Sequence, residues 1–171
     1  MTTKNTSATA EAQISALIDA WAQAIRARDV NGVMSHYAAD IVTFDLAPPL
    51  PYVGAEALRK NLQEWFATFR GPVGYEMRDL SITASDDVAF CHSRNRISGT
   101  RTNGEETDVW VRATVCYRKI DGKWLVTHEH ASYLSTWMAV TERRLTSSHS
   151  TARILSAVAT AEGRLGGSHD R

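Results

Sequence analysis

The most informative segment of the chain reads Asp121-Gly-Lys-Trp-Leu-Val-Thr-His-Glu-His-Ala-Ser132. Its Asp-Gly pair is a strong hairpin signal, because a type I′ turn needs positive φ at both central residues. Alternating residues flank the pair, so we predict antiparallel strands over Thr107–Ile120 and Lys123–Tyr133. A two-residue turn pairs Ile120 with Lys123 and thereby sets the register of every later pair.

This register divides the hairpin into two faces. One face carries Val111, Ala113, Val115, Tyr117, Trp124, Val126, His128 and His130. The other carries Trp110, Arg112, Thr114, Cys116, Arg118, Leu125, Thr127 and Glu129. The first face is the more apolar, so we expect it to pack against helices and to bring His128 and His130 with it.

The rest of the chain supplies those helices and two more strands. Apolar residues recur at helical spacing over Glu11–Arg28, and a third helix follows Gly54. Asp29 is a plausible N-cap for a short second helix that carries Val30, Val33, Met34 and Tyr37. Strands are predicted at Ile41–Asp45, Tyr75–Ala84 and Val88–Ser98. The fold class is therefore α+β, with three N-terminal helices packed on a strongly curved antiparallel sheet that encloses a pocket.

Composition sets the broad class of the protein. The chain has 171 residues, of which 43% are hydrophobic and 22% charged, and its formal net charge is zero. These values predict one soluble domain and give no electrostatic reason to expect nucleic acid or a membrane as partner. No signal peptide or long apolar run is visible, and Cys91 and Cys116 form no close pair, so we expect a cytoplasmic protein with reduced thiols.

The domain boundaries follow from changes in composition. Residues 1–10 are small and polar and are interpreted as a flexible N-terminal arm, with the folded domain over 11–134. Residues 135–171 form a C-terminal extension in which apolar spacing predicts a short amphipathic helix. That helix could cover the pocket mouth, clasp a second copy of the chain or remain disordered.

His128 and His130 lie two residues apart on one strand and so share a face. They could act as acid–base groups, bind a metal, or pack as structural histidines at the end of the sheet. The spacing Gly122-x5-His128-x-His130 resembles the start of a cupin metal motif, but the later Glu is missing. Only Asp45 or His92 could add a third ligand, and we predict no metal.

A second row of polar residues alternates along the strand Val88–Ser98. His92, Arg94 and Arg96 share one face, which could form a basic pocket floor suited to an anionic ligand. The same row could instead face solvent or a dimer interface, where arginine is common. The sequence leaves both interpretations open.

Several segments together resemble the SnoaL-like, or ketosteroid isomerase-like, branch of the nuclear transport factor 2-like (NTF2-like) superfamily. They are Trp21-Ala-Gln-Ala-Ile-Arg-Ala-Arg-Asp29, His36-Tyr-Ala-Ala-Asp40, Gly54 before the third helix, and Asp121–Ser132. The last segment is also similar to the association domain of calmodulin-dependent kinase II. The resemblance implies a cone-shaped α+β fold, a ligand pocket and a homodimer.

The resemblance also assigns roles to individual residues. Asp45 stands where ketosteroid isomerases keep the carboxylate that acts as general base, although it could instead be a loop residue bonded to backbone N–H groups. Trp21 and Val115 occupy or approach the two positions of the isomerase oxyanion hole, which uses a tyrosine and a protonated aspartate. Because valine donates no hydrogen bond, steroid isomerisation itself is not expected.

The resulting hypothesis is a small-molecule-binding protein that needs no cofactor. Its catalytic residues are predicted to be Asp45, His128 and His92. The predicted ligand-binding residues are Trp21, Tyr37, Phe66, Arg94, Val115 and His130. The reaction would be an isomerisation, cyclisation or hydration of a small carbonyl or polycyclic substrate. The alternative is a non-catalytic module that binds a ligand or mediates oligomerisation.

Overall fold

A computed structural model describes residues 3–133, and the predicted C-terminal extension lies outside this range. The helices are α1 (Thr3–Ala27), α2 (Val30–Met34) and α3 (Ala55–Ala67). The strands are β1 (Tyr37–Phe44), β2 (Tyr52–Val53), β3 (Gly74–Ala84), β4 (Val88–Thr100), β5 (Glu106–Ile120) and β6 (Lys123–Ser132). The predicted α+β class is confirmed, with helices packed on a curved, unclosed sheet.

Two helix boundaries differ from the sequence prediction. α1 begins at Thr3 rather than Glu11, so helix replaces most of the expected N-terminal arm. Its buried face extends one turn further back, because Ala10 lies four residues before Ile14 and both are buried. Tyr37 is not helical: α2, capped as predicted by the Asp29 side chain, ends at Met34, and Tyr37 begins β1.

The sheet is mixed rather than wholly antiparallel. Its strand order is β2-β1-β6-β5-β4-β3. β1 runs parallel to β6, while each other neighbouring pair is antiparallel. Because β1 and β2 precede α3 in the chain, the helices do not all come before the sheet. The parallel pair places the end of β1 beside the second half of β6, where the site described below is located.

A β-bulge in β6 breaks the register that the hairpin predicts. Ile120 pairs with Lys123 as expected, and pairing stays regular as far as Tyr117 opposite Val126. The next pair is Cys116 with His128, so one extra residue lies on β6 at this point. Beyond the bulge every β6 side chain changes face. The prediction that His128 and His130 share a face with Tyr117 is therefore wrong.

The apolar core lies between the helices and the inner face of the sheet. One cluster joins α1 to the middle of the sheet through Ile14, Ile18, Ile41, Trp124 and Val126. A second cluster joins the C-terminal half of α1 to α2 and α3 through Ile25, Val33, Met34, Leu62, Phe66 and Phe69. Phe66 is 4% exposed and belongs to this second cluster. None of the described helices is long and apolar enough to cross a membrane.

Candidate functional site

A cavity of about 160 Å³ lies between the inner face of the sheet and the three helices. Its aromatic lining comes from Trp21, Tyr37, Phe44, Trp65 and Tyr75. Its polar lining comes from Thr43, Asp45, Asn61, Asn95 and Glu129, and aliphatic residues supply the remainder. The cavity is thus mostly apolar with a few convergent polar groups, which is typical of a small-molecule site.

A hydrogen-bonded chain of three side chains crosses the wall of this cavity. The indole Nε1 of Trp21 donates to the hydroxyl of Tyr37 at 3.0 Å. That hydroxyl donates in turn to Oε2 of Glu129 at 2.9 Å. α1, β1 and β6 each contribute one member, so the contact between these three elements fixes the orientation of the carboxyl group.

Burial is the largest influence on the pKa values of Glu129 and Tyr37 in this hydrogen-bonded trio. It raises the pKa of Glu129, the negative charge of Asp45 raises that pKa further, and the hydrogen bond from Tyr37 partly opposes both effects. The pKa of Tyr37 lies well above its ordinary value, first because of burial and then because of Glu129. Burial thus shifts this carboxyl group toward its neutral form, the form that can donate a hydrogen bond into the cavity.

A smaller compartment of about 30 Å³ adjoins the first and shares Trp21, Tyr37 and Glu129 with it. Cys91 lies here, with its Sγ 3.5 Å from the hydroxyl of Tyr117. Burial raises the pKa of the Cys91 thiol. Because the thiolate is the nucleophilic form, this cysteine is suited to packing rather than to catalysis.

Asp45 lies at the mouth of the cavity, directly after β1. Its Oδ1 accepts from the backbone N–H of Leu46 at 2.6 Å, and its Oδ2 accepts from the Asn61 amide at 2.8 Å. The residue is exposed to solvent but lines the cavity. Asp45 therefore combines features of both alternatives, since it lines the pocket and is also held by a loop N–H group; its catalytic role stays a prediction.

The structure places the two histidines of β6 on the outer face of the sheet. The Nδ1 of His128 lies 2.8 Å from the carbonyl oxygen of Val42, and both histidine rings contact Phe44 edge-to-face. Neither histidine lines the cavity. The bulge is the physical reason, because it moves every later residue of β6 to the opposite face.

His92 and Arg94 also lie outside the cavity. Both are exposed on the outer face of β4, where Arg94 forms an ion pair with Asp79. Arg96, on the same face, makes a bidentate pair with Asp108 at 2.7 Å. The buried row of β4 is the alternate one, which includes Ser93 and Asn95. Of the two interpretations, the outward-facing row is therefore the one observed, and the site roles predicted for His92 and Arg94 are wrong because the arginines of this row pair with carboxylates.

The remaining predicted site residues divide between the cavity and its surroundings. Trp21 and Tyr37 line the main cavity as expected. Val115 lines the smaller compartment, and its partner across the β5–β6 ladder is Glu129. Phe66, predicted to bind the ligand, is instead a core residue at helical spacing on α3 and does not line the main cavity.

Sequence reasoning missed Glu129, Thr43 and Asn61 as cavity residues. Glu129 was assigned to the outer face by the uninterrupted register, and nothing in the local sequence marks the bulge. Thr43 could have been found because it lies two residues before Asp45 in the predicted strand Ile41–Asp45 and so shares its face. Among the described residues no cluster of three potential metal-ligating side chains occurs.

Comparison with known proteins agrees with this architecture. Residues 14–136 match the family model described as SnoaL-like domain. No curated protein matches the chain.

Several solved structures share the fold. An NTF2-like protein of unknown function from Pseudomonas putida KT2440 is 34% identical, with a TM-score of 0.71 over 84% of this chain and 99% of that one. A ketosteroid isomerase-like protein from Erwinia carotovora atroseptica SCRI1043 is 25% identical, with a TM-score of 0.63 over 73% and 96%. The association domain of CaMKII from C. elegans is 16% identical, with a TM-score of 0.59 over 74% and 98%, and shows the fold alone.

Proposed function

The chain belongs to the SnoaL-like family of the NTF2-like superfamily, and on that premise we propose that it transfers a proton on a small, mostly apolar molecule bound in the cavity. One observation carries the proposal: Glu129, a carboxyl group whose pKa is raised by burial, lines the same cavity as a second carboxyl group, Asp45. Two carboxyl groups in contrasting environments are a common basis for dividing acid and base roles.

The cavity volume limits the size of the substrate. An engineered protein cavity of about 150 Å³ binds benzene, so a cavity of about 160 Å³ fits one ring with small substituents. A substituent could extend past Asp45 through the open mouth. A monocyclic carbonyl compound therefore suits the site better than a steroid or another polycyclic molecule.

The two carboxyl groups differ in the roles that their surroundings favour. Asp45 lies at the cavity mouth, where Leu46 N–H and the Asn61 amide hold its carboxyl group in place for the role of general base. Burial shifts Glu129 toward its neutral form, and Tyr37 orients it, so in this proposal it donates a hydrogen bond to a substrate oxygen as negative charge develops there. In this proposal Asp45 removes the proton and Glu129 stabilises the resulting oxyanion.

Glu129 would also supply the carboxylic acid that Val115 lacks. Ketosteroid isomerases use a neutral carboxylic acid in their oxyanion hole. Val115 stands near that position here, and Glu129 lies directly across the ladder from it. The carboxyl group would thus come from the adjacent strand, while Trp21 acts indirectly by donating to Tyr37.

Exchange of the α-protons of cyclohexanone with solvent deuterium, followed by proton NMR, tests this proposal. We expect the protein to accelerate exchange, and Asp45→Asn and Glu129→Leu, which remove the base and the oxyanion donor respectively, each to reduce the acceleration by about a hundredfold or more. His92→Gln, on the outer face, is the matched control and should exchange like the unchanged protein. Absence of acceleration, or full activity in Glu129→Leu, would contradict the proposed chemistry.

A second proposal concerns assembly, and we infer that the outer face of the sheet forms a homodimer interface. This face exposes two large aromatic side chains, Phe90 at 45% and Trp110 at 41%. Aromatic and arginine side chains are enriched at interfaces, and Arg78 lies over the Trp110 ring at 4.9 Å. A purely oligomerising role, the alternative to catalysis, would use this face and not the cavity.

Sedimentation of the full chain tests the interface. We expect a dimer that Phe90→Arg shifts toward monomer, because a charge replaces a ring buried at the centre of contact. Leu50→Arg, at a residue that is 88% exposed in the loop after β1, serves as control and should stay dimeric. A monomeric unchanged protein would rule the interface out.

A further inference from the structure

We propose that Thr43 fixes the position of the ligand, and that its hydroxyl and the Glu129 carboxyl together bind one neutral oxygen, a hydroxyl or carbonyl, at the inner end of the cavity. The inference rests on the proposed function because it concerns the same cavity. To the proposed function it adds the chemical class of the ligand group, a neutral oxygen, and a ligand-binding residue, Thr43, that takes no part in the proposed proton transfer.

The central observation is a buried hydroxyl without a partner. Thr43 is 4% exposed and is one of the residues that line the cavity. Within residues 3–133, its Oγ1 has no hydrogen-bonding partner. Such a group costs stability unless something else bonds to it, so native proteins rarely keep one without a reason.

Packing does not explain why a threonine stands here. The preceding inward position on β1 is Ile41, which is fully buried in the apolar core. Valine has nearly the shape of threonine and a high preference for strands, so it would fill the same space without the unpaired oxygen. The hydroxyl group therefore points to a ligand rather than to the fold.

The sheet register places this hydroxyl beside the Glu129 carboxyl. Thr43 and Glu129 are directly paired across the parallel β1–β6 ladder, and both line the cavity. Adjacent strands lie about 4.8 Å apart, so one ligand oxygen can reach both side chains. A carbonyl oxygen would accept from the threonine and from the neutral carboxyl group, whereas a hydroxyl could donate to one of them and accept from the other.

The other polar groups of the cavity are already engaged. The Asn61 amide donates to Asp45, and the Asn95 carbonyl accepts from Ser93. The Tyr37 hydroxyl donates a hydrogen bond to Glu129. Among the described lining residues, Thr43 is therefore the one with a buried polar side-chain atom that has no partner.

Charge limits the ligand to a neutral oxygen group. The described lining of the cavity includes two acidic residues, Asp45 and Glu129, and no lysine, arginine or histidine. A carboxylate or phosphate placed between these groups would be desolvated without a cation to pair with it. The site thus favours an alcohol, a phenol or a ketone over an organic anion.

Calorimetric titration with three one-ring probes tests the assignment: phenol, toluene and benzoate. The unchanged protein should bind phenol more tightly than toluene and should not bind benzoate. Thr43→Val should weaken phenol binding about tenfold and leave toluene binding unchanged, because it removes one hydrogen bond and keeps the shape. Thr43→Ser should restore phenol binding.

Stability measurements separate this role from a structural one. Removing an unpaired buried hydroxyl should raise the melting temperature of Thr43→Val, whereas a structural role predicts a decrease. Thr114→Val, on the outer face of β5, is the matched control and should leave binding of all three probes unchanged. If Thr43→Val proves insoluble, Thr43→Ala provides the same comparison of phenol with toluene.

The outcomes distinguish failure of this inference from failure of the proposed function. The role of Thr43 would be overturned if Thr43→Val and the unchanged protein bound phenol with equal affinity. It would also be overturned if Thr43→Val lost as much affinity for toluene as for phenol, even if proton exchange is catalysed. Phenol bound no better than toluene by the unchanged protein would overturn it as well. Loss of phenol binding in Thr43→Val without any catalysed exchange would support the anchor and reject the chemistry.

Discussion

At the residue scale, the proposed chemistry depends on the protonation state of Glu129. Its carboxyl group is surrounded by protein, oriented by Tyr37 and influenced by the charge of Asp45. A carboxyl group on the surface would be ionised at neutral pH and could only accept hydrogen bonds. Burial shifts the balance toward the neutral acid, which can also donate one.

Individual residues differed in how well their positions could be predicted. Asp45 was identified because it follows a short strand at the place where related proteins keep a carboxylate, and it lines the cavity. His92 and Arg94 share a face that is as regular as the buried one, and alternation alone does not say which face is inward. Burial of Ser93 and Asn95 decided the matter, because small polar residues fit beneath the helices where arginine would not.

At the scale of elements, strand positions were predictable and strand pairing was only partly so. The Asp121-Gly122 turn correctly predicts the pairing of Ile120 with Lys123, because turn and ladder are local. The bulge opposite Tyr117 lies where β6 also pairs with β1, which is distant in sequence and runs parallel to β6. No local pattern shows such a pairing, so the inward position of Glu129 could not be found from the hairpin alone.

Deletion of Thr127, the extra residue of the bulge, tests whether Glu129 faces inward through its place in the ladder opposite Val115 or through the bulge itself. Without it the ladder would run from Tyr117–Val126 to Cys116–His128 without interruption, so Glu129 should still face inward opposite Val115. We expect the deletion variant to retain accelerated proton exchange on cyclohexanone. Thr127→Ala, which keeps the bulge, should also retain it. Loss of exchange in the deletion variant alone would show that the bulge itself positions the carboxyl group.

At the scale of the whole molecule, zero net charge conceals an uneven distribution. Arginines of the outer sheet face pair with Glu76, Asp79 and Asp108. The cavity holds two acidic residues and, within the described residues, no basic one. Outer-face ion pairs are exposed and contribute little stability, whereas the buried carboxyl group makes the stability of the whole domain depend on pH.

The direction of that dependence follows from the raised pKa of Glu129. Below the ordinary glutamate pKa of about 4.3, both the folded and the unfolded chain hold the proton, and burial carries no electrostatic cost. As pH rises from there to the pKa of the folded state, the unfolded chain loses its proton first. The folded state is therefore progressively destabilised across this window and keeps a constant penalty above it.

The free energy of unfolding in urea, compared between the unchanged protein and Glu129→Gln as a function of pH, tests the central claim most directly. Glutamine keeps the shape and can still accept from Tyr37, but it does not titrate. The stability of the variant relative to the unchanged protein should increase as pH rises from about 4 through the window and then level off. Glu56→Gln, in the exposed first turn of α3, should show no such increase. A relative stability of Glu129→Gln that stays flat, or decreases, as pH rises would contradict the assignment of Glu129 as the buried acid of the cavity.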